Sequence, residues 1–245
     1  LYTSGSTGKP KGILHTTGGY LLQAKLTSKL VFDLRDEDVY WCTADPGWVT
    51  GTSYGIIAPF ALGATQCVQD IGFSADNWYK WVEKQRVTVW YSAPTAIRSL
   101  MKAGDEVVKK YDLSSLRHLA SVGEPLNAEA VIWSQRVFDK PFLDTYWQTE
   151  TGSIVITNFP GMKVKPGSMG RAFPGIKSCV LDLKTYEPIA ESGRIGLIAL
   201  KPDWPALMRG YWGNKETYNK KFVNGWYLPG DRSSIDKEGY FWFAG

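Results

Sequence analysis

Hydrophobic and polar positions fall into blocks whose period changes along the chain. From residue 33 to about residue 150, short apolar runs alternate with segments in which apolar residues recur at helical spacing. The runs at 39–43, 64–69, 87–92, 118–122 and 142–147 have strand length and are bounded by charges, Pro or Gly. Between them, residues 53–62 predict a short buried helix ended by Gly63. Asp76 is placed to cap a helix in which Trp78, Trp81 and Val82 share a face. Ile97, Leu100, Met101, Val108 and Tyr111 lie on one side of a helix predicted over 95–111, and Asn127 caps another that carries Ala130, Trp133 and Val137. A strand end at Leu1-Tyr2 and a helix over 13–32 precede this series.

Strand and helix in alternation predict a mostly parallel sheet with covering helices, where ligands sit at the carboxyl ends of strands. Asp45-Pro-Gly-Trp48, Ala93-Pro94, Gly123-Glu-Pro125 and Gln148-Thr-Glu150 all lie at such ends. After about residue 160 the pattern changes. Pro166-Gly167, Pro174-Gly175, Ser192-Gly193 and Asn224-Gly225 separate short runs such as 178–181 and 197–200. The expected fold class is therefore α/β: a mostly parallel sheet with helices over residues 1–160, then a smaller antiparallel β subdomain, barrel-like and distorted, over 161–245. No internal repeat or low-complexity stretch is present.

Composition narrows the function classes. Hydrophobic residues make up 44% of the 245 and charged residues 21%, enough for a substantial core. The net charge of +4 comes from scattered residues, among them Lys9, Lys11, Lys109-Lys110 and Lys220-Lys221. Without a dense basic stripe, a solvated surface with a local preference for phosphate explains the charge better than nucleic acid does. Cys42, Cys67 and Cys179 are far apart and form no C-x-x-C, so reduced thiols in a cytoplasmic protein are expected. His15 and His118 have no partner at zinc-ligand spacing. No apolar run reaches the ~18 residues of a membrane helix, and no signal peptide is seen. Neither end has the polar linker of a domain boundary, so the chain reads as an internal piece of a longer protein.

The strongest chemical signal is Tyr2-Thr-Ser-Gly-Ser-Thr-Gly-Lys-Pro-Lys-Gly12, which holds three glycines, four hydroxyls and two lysines. Close backbone approach, rotatable donors and positive charge suit a polyphosphate. It is not a Walker A loop: Gly5 and Gly8 enclose two residues rather than four, and Pro10 follows Lys9. The dinucleotide G-x-G-x-x-G is also missing.

This loop resembles the phosphate loop of the AMP-forming acyl-adenylate ligases, a family that includes the acyl-coenzyme A synthetases. Ser121-Val-Gly-Glu-Pro-Leu126 is similar to the family's adenine-side loop, Asp144-Thr-Tyr-Trp-Gln-Thr-Glu-Thr-Gly152 to its Thr-Glu motif, and Gly225-Trp-Tyr-Leu-Pro-Gly-Asp231 to its ribose-binding motif. Gly210-Tyr-Trp-Gly-Asn-Lys-Glu-Thr217 resembles a further family stretch. Lys11-Gly-Ile-Leu-His-Thr-Thr-Gly-Gly-Tyr-Leu21, Ala44-Asp-Pro-Gly-Trp-Val-Thr-Gly51 and Tyr91-Ser-Ala-Pro-Thr-Ala-Ile-Arg98 are closest to its acetyl-coenzyme A synthetase branch. Two departures stand out: Pro229 where the family usually has Thr or Ser, and Tyr146 where acetate-type members often have a second Trp.

The resemblance implies an enzyme that joins a carboxylate to the α-phosphate of ATP, expels pyrophosphate, and passes the acyl group to coenzyme A. ATP, Mg²⁺ and coenzyme A are the implied cofactor and co-substrates. Thr3, Ser4, Ser6 and Thr7, with the backbone of Gly5 and Gly8, would hold the terminal phosphates, and Lys9 or Lys11 would add charge. Thr149 and Glu150 would be the catalytic pair, Glu150 holding the metal. Gly123, Glu124 and Pro125, with Asp144, Thr145 and Tyr146, would enclose adenine beside Trp147 and Gln148. Asp231 would accept both ribose hydroxyls. Trp48, Val49, Thr50, Val122 and Trp147 would wall a small acyl pocket, which points to acetate. The family's C-terminal lid domain, with its lysine for adenylation, is not in this stretch, so the piece alone is expected not to make acetyl-coenzyme A. A synthetase for propionate or another short acid, and a non-catalytic nucleotide-binding piece, are the alternative readings.

Overall fold

The computed structural model describes residues 1–3 and 10–245. The first described elements are β1 (Tyr2–Thr3), β2 (Lys11–Leu14) and α1 (Thr17–Val31), with β1 and β2 antiparallel. The helix predicted over 13–32 thus begins four residues later. Ile13 is buried as part of β2, where ladder pairing satisfies its backbone.

The next stretch alternates as expected. Strand β3 (Val39–Cys42) is followed by a continuous helical stretch made of α2 (Val49–Thr52), a π-helical turn (Ser53–Ile57) and α3 (Ala58–Leu62). Then come β4 (Thr65–Cys67), α4 (Ala75–Gln85), β5 (Val89–Ser92), α5 (Pro94–Ala103), α6 (Asp105–Val108), β6 (His118–Ser121), α7 (Ala128–Phe138) and β7 (Phe142–Tyr146). These five strands lie parallel in the order β4-β3-β5-β6-β7. Antiparallel β8 (Ile156–Thr157) and β9 (Arg171–Ala172) complete a seven-stranded sheet.

Local details differ from expectation for physical reasons. Ser74, not Asp76, caps α4, its hydroxyl accepting the Asn77 N–H at 3.1 Å; Asp76 sits in the first turn and accepts from the Tyr111 hydroxyl at 2.9 Å. Asn127 precedes α7, but its side chain makes no capping bond. The helix predicted over 95–111 divides at Gly104 into α5 and α6. The break aims Asp105 back at α7, where it accepts the Trp133 Nε1–H at 2.9 Å and pairs with Arg136.

Each face of the sheet is covered by its own core. On one face Trp41 and Trp90 stack at 5.3 Å, with Trp78 of α4 edge-on to Trp41 at 5.2 Å and Phe142 packed against Trp90. On the other, Phe32, Tyr40, Tyr54 and Tyr91 pack together under α1 and the 49–62 helical stretch. Burying such a side chain is worth about 1.5–3 kcal/mol.

The later chain forms β10 (Ser178–Leu181), β11 (Gly196–Leu200), β12 (Gly210–Tyr211), α8 (Lys215–Asn219), β13 (Phe222–Val223), β14 (Trp226–Tyr227), β15 (Arg232–Ile235) and β16 (Phe241–Phe243). All but β12 of these strands make a six-stranded sheet that is antiparallel throughout. Asn224 and Gly225, at φ of 50° and 76°, make the two-residue turn between β13 and β14 that suits this pair of residues. Strand β12 leaves to join β2, forming a β1-β2-β12 sheet. One hydrophobic core spans both large sheets, containing Tyr91, Trp147 and Val155 together with Ile198, Leu200, Tyr227 and Phe241. The α/β class with a smaller antiparallel part is the one the pattern predicted. Among the described residues no helix is long and apolar enough to cross a membrane.

Candidate active site

The carboxyl ends of β6 and β7 face the start of β15. Parallel pairing sets Ser121 beside Asp144, so the two chains leave the sheet together and their loops converge. Between these loops and Asp231 lies a cleft of about 250 Å³ lined by Gly123, Glu124, Pro125, the five residues 144–148, Met169 and Phe243. Asp231 is fixed from the opposite sheet: its Oδ2 accepts the Tyr146 hydroxyl at 2.6 Å and the Gln148 Nε2–H at 2.8 Å. Among the described residues no donor reaches Oδ1, which leaves one carboxylate oxygen for a ligand hydroxyl. Burial, then the charge of Asp231, push the Tyr146 hydroxyl far above its ordinary pKa, so it stays a neutral donor. Burial also pushes the Asp144 carboxyl up to about 7, against the pull of the Leu126 and Thr145 N–H groups.

A second cavity, about 420 Å³, shares the wall of Gly123, Trp147 and Gln148. Its remaining lining is Thr3, Lys11, Val49, Thr50, Val122, Thr149, Glu150, Lys221 and Pro229. The turn that presents Thr149 and Glu150 is held on several sides. Thr151 Oγ1 accepts the Gln148 N–H at 2.9 Å, Trp204 Nε1 donates to the Thr151 carbonyl at 2.9 Å, and the Met208 N–H donates to the Glu150 carbonyl at 2.9 Å. The His15 ring stands behind it, Nε2 at 2.8 Å from the Thr149 carbonyl and Nδ1 at 3.1 Å from that of Ala206. Burial lowers the His15 pKa.

Glu150 is oriented by β12, whose Tyr211 hydroxyl donates to Oε1 at 2.9 Å. Lys11 lies 5.6 Å over the Tyr211 ring. Trp147, 8% exposed, is wedged edge-on against Tyr54 at 4.9 Å, and its Nε1–H donates to the Tyr91 hydroxyl at 3.3 Å. That leaves it a rigid end wall for the part of the cavity bordered by Val49 and Val122.

Most of the expected residues meet here. Thr3, Val49, Thr50, Val122, Trp147, Thr149 and Glu150 line the second cavity; Gly123, Glu124, Pro125, Asp144, Thr145, Tyr146, Trp147, Gln148 and Asp231 line the first. Ser4, Gly5, Ser6, Thr7, Gly8 and Lys9 lie outside the described residues. Trp48 stands apart, 65% exposed at the head of α2 and lining neither cavity. The Glu124 carboxylate is occupied by Arg98 Nη2 and the Thr95 hydroxyl, both at 2.6 Å. Met169, Phe243, Tyr211 and Lys221 were not anticipated. For Lys221 a signal existed: the Asn224-Gly225 hairpin brings residue 221 back beside 228 and 229.

Among the described residues no three His, Cys, Asp or Glu side chains group as a metal cluster. The arrangement is a cleft that ends at Asp231 and, sharing the wall of Gly123, Trp147 and Gln148, a cavity with cations, hydroxyls, one carboxylate and an apolar end.

The family model described as AMP-binding enzyme matches residues 1–212. The acetyl-coenzyme A synthetase of Bacillus subtilis is 53% identical over 245 residues, covering all of this chain and 42% of the relative. That of Pyrobaculum aerophilum is 44% identical over 257 aligned residues, covering all of this chain and 38% of the relative. The crystal structure of a Brucella canis acyl-CoA synthetase superposes with a TM-score of 0.90 at 32% identity, over all of this chain and 44% of the other. The chain thus spans about two fifths of the length of the curated relatives it matches. With the matched residues including Gly123, Trp147 and Gln148, the wall common to both cavities, the chain belongs to the AMP-binding enzyme family.

Proposed function

We propose that the chain carries the nucleotide and acyl site of an AMP-forming acetate–CoA ligase. Acetate would attack the α-phosphorus of ATP, with pyrophosphate leaving, and the acetyl group would then pass to the thiol of coenzyme A. The observation that carries this reading is the shared wall: Gly123, Trp147 and Gln148 border both the cleft that ends at Asp231 and the cavity with Thr149, Glu150 and an apolar end. A reaction between a nucleotide phosphate and a short acid needs the two held in adjoining spaces, in line and away from water.

Each residue then has a task. Asp231, oriented by Tyr146 and Gln148, accepts the ribose hydroxyls. Gly123, Glu124, Pro125, Asp144 and Thr145 enclose adenine, with Arg98 holding the Glu124 loop. Thr3, Lys11 and residues 4–9 take the terminal phosphates, and Thr149 adds a hydroxyl beside them. Val49, Thr50, Val122 and Trp147 exclude acids longer than a few carbons. Mg²⁺ binds through one or two carboxylates and phosphate oxygens rather than an all-protein cage. Glu150, a single hard carboxylate oriented by Tyr211, fits that donor set. When bound, the ion neutralises charge on the phosphates. Three free thiols fit a cytoplasmic enzyme, and scattered lysines fit small-molecule partners rather than nucleic acid.

The test is ATP–pyrophosphate exchange by the full-length protein. Exchange should depend on acetate, fall with propionate and again with butyrate, and give acetyl-coenzyme A once coenzyme A is added. Nucleotide binding with no acid-dependent exchange would overturn the enzyme reading, and preference for a longer acid would overturn acetate.

A further inference from the structure

The second cavity contains, besides Lys11, a cation that lies outside the family motifs. Lys221 lines it together with Lys11 of β2, and its ammonium donates to the Pro229 carbonyl at 2.9 Å. The β13–β14 hairpin fixes it there, the Leu228 N–H donating to the Lys221 carbonyl at 2.8 Å. Pro229 stands two residues before Asp231. The ammonium is therefore tied to the same short segment that presents the ribose-binding carboxylate.

We propose that Lys221 is a ligand-binding residue whose ammonium holds the α-phosphate of a 5′-nucleotide. This rests on the nucleotide reading above. A nucleotide with its ribose on Asp231 and its terminal phosphates near Thr3 and Lys11 must carry the α-phosphate across the space between, and Lys221 borders that space. Among the described residues no carboxylate lies within ion-pair distance of the ammonium. Among the described residues its one protein partner is a neutral carbonyl, and two of its three donors meet no described acceptor. A partly buried ammonium in that condition gains most from an anion. Pro229 has a part in the device. Its backbone carbonyl anchors the lysine, as that of a Thr or Ser also would, but Pro229 places no hydroxyl of its own beside the ammonium.

The test compares adenosine, AMP and ATP binding by calorimetry in full-length wild-type protein and the Lys221→Met variant, which keeps the stem and removes the charge. Adenosine should bind both alike, within about twofold. AMP and ATP should each weaken by roughly tenfold to a hundredfold in the variant, the effect of losing a bond to a charged group. Lys221→Arg should keep most of the affinity. Loss for ATP alone would assign Lys221 to the terminal phosphates and overturn the α-phosphate assignment. Unchanged AMP binding, or equal loss for all three ligands, would also overturn it. Wild-type protein that gains no affinity from adenosine to AMP would instead sink the nucleotide reading itself.

Discussion

At the scale of single residues, Trp147 and Asp144 make separable predictions. On the proposed function Trp147 ends the acyl side of the cavity, and it is locked by Tyr54 and Tyr91. In the full-length protein, Trp147→Gly should admit several methylenes, each worth about 1–3 kcal/mol of discrimination. Removing a buried Trp side chain costs about 3–5 kcal/mol of stability, but that lowers all activities together and cannot invert a preference. The ratio of kcat/KM for hexanoate over acetate should rise; an unchanged ratio in a folded variant would make Trp147 ordinary core. Asp144 predicts a pH effect. Its carboxyl is held near 7 in the fold against an ordinary value of 3.8, so the folded state favours its neutral form. The contribution is complete below about pH 4 and is lost as pH rises through 7, by about 1.4 kcal/mol per pH unit between those values. Asp144→Asn, neutral throughout, should gain on the wild type between about pH 5 and pH 7.5 in urea unfolding. A difference that stays constant with pH would show the buried carboxyl to be ionised already.

At the scale of elements, the turn after β7 is the most constrained. Gly152 has φ of +74°, and a Cβ built there would lie 2.2 Å from the Ala206 carbonyl oxygen, the same oxygen that faces His15. Gly152→Ala should therefore cost more than the ~1–3 kcal/mol of a left-handed side-chain residue and should also displace Thr149 and Glu150. Denaturant unfolding and ATP affinity would both fall; wild-type values for both would mean that the turn has room to shift. This turn was legible in the sequence as a motif, and so was its place, because parallel strands present their loops at one end. What holds it was not legible. His15, Trp204, Met208 and Tyr211 reach it from 53 to 134 residues away in the chain. Periodicity reports which face of an element is apolar and says nothing about which distant backbone it meets. The same limit applies to β12, a two-residue strand that pairs with β2 instead of its neighbours in sequence. The Asp76 cap and the unbroken 95–111 helix were misread for a different reason. A nearby Ser competed for the first, and Gly104, at φ of 89°, ended α5 in the second.

At the scale of the whole molecule, the cleft proposed for the nucleoside lies between two sheets that share one core, with Asp231 of one bonded to Tyr146 and Gln148 of the other. Unfolding should therefore be a single transition, and AMP at a hundred times its Kd should move all of it upward by about 2.7 kcal/mol. Two transitions in calorimetry, with only one responding to AMP, would show the sheets to be energetically separate. The partition of Gly123, Trp147 and Gln148 has a further consequence. A side chain that touches both occupants cannot settle against one without changing what the other meets. On the proposed function, nucleotide and short acid would be heterotropic ligands, and whatever factor acetate imposed on the ATP dissociation constant, ATP would impose on that of acetate. The wall that would separate the two proposed substrates is then also what would let each sense that the other has arrived.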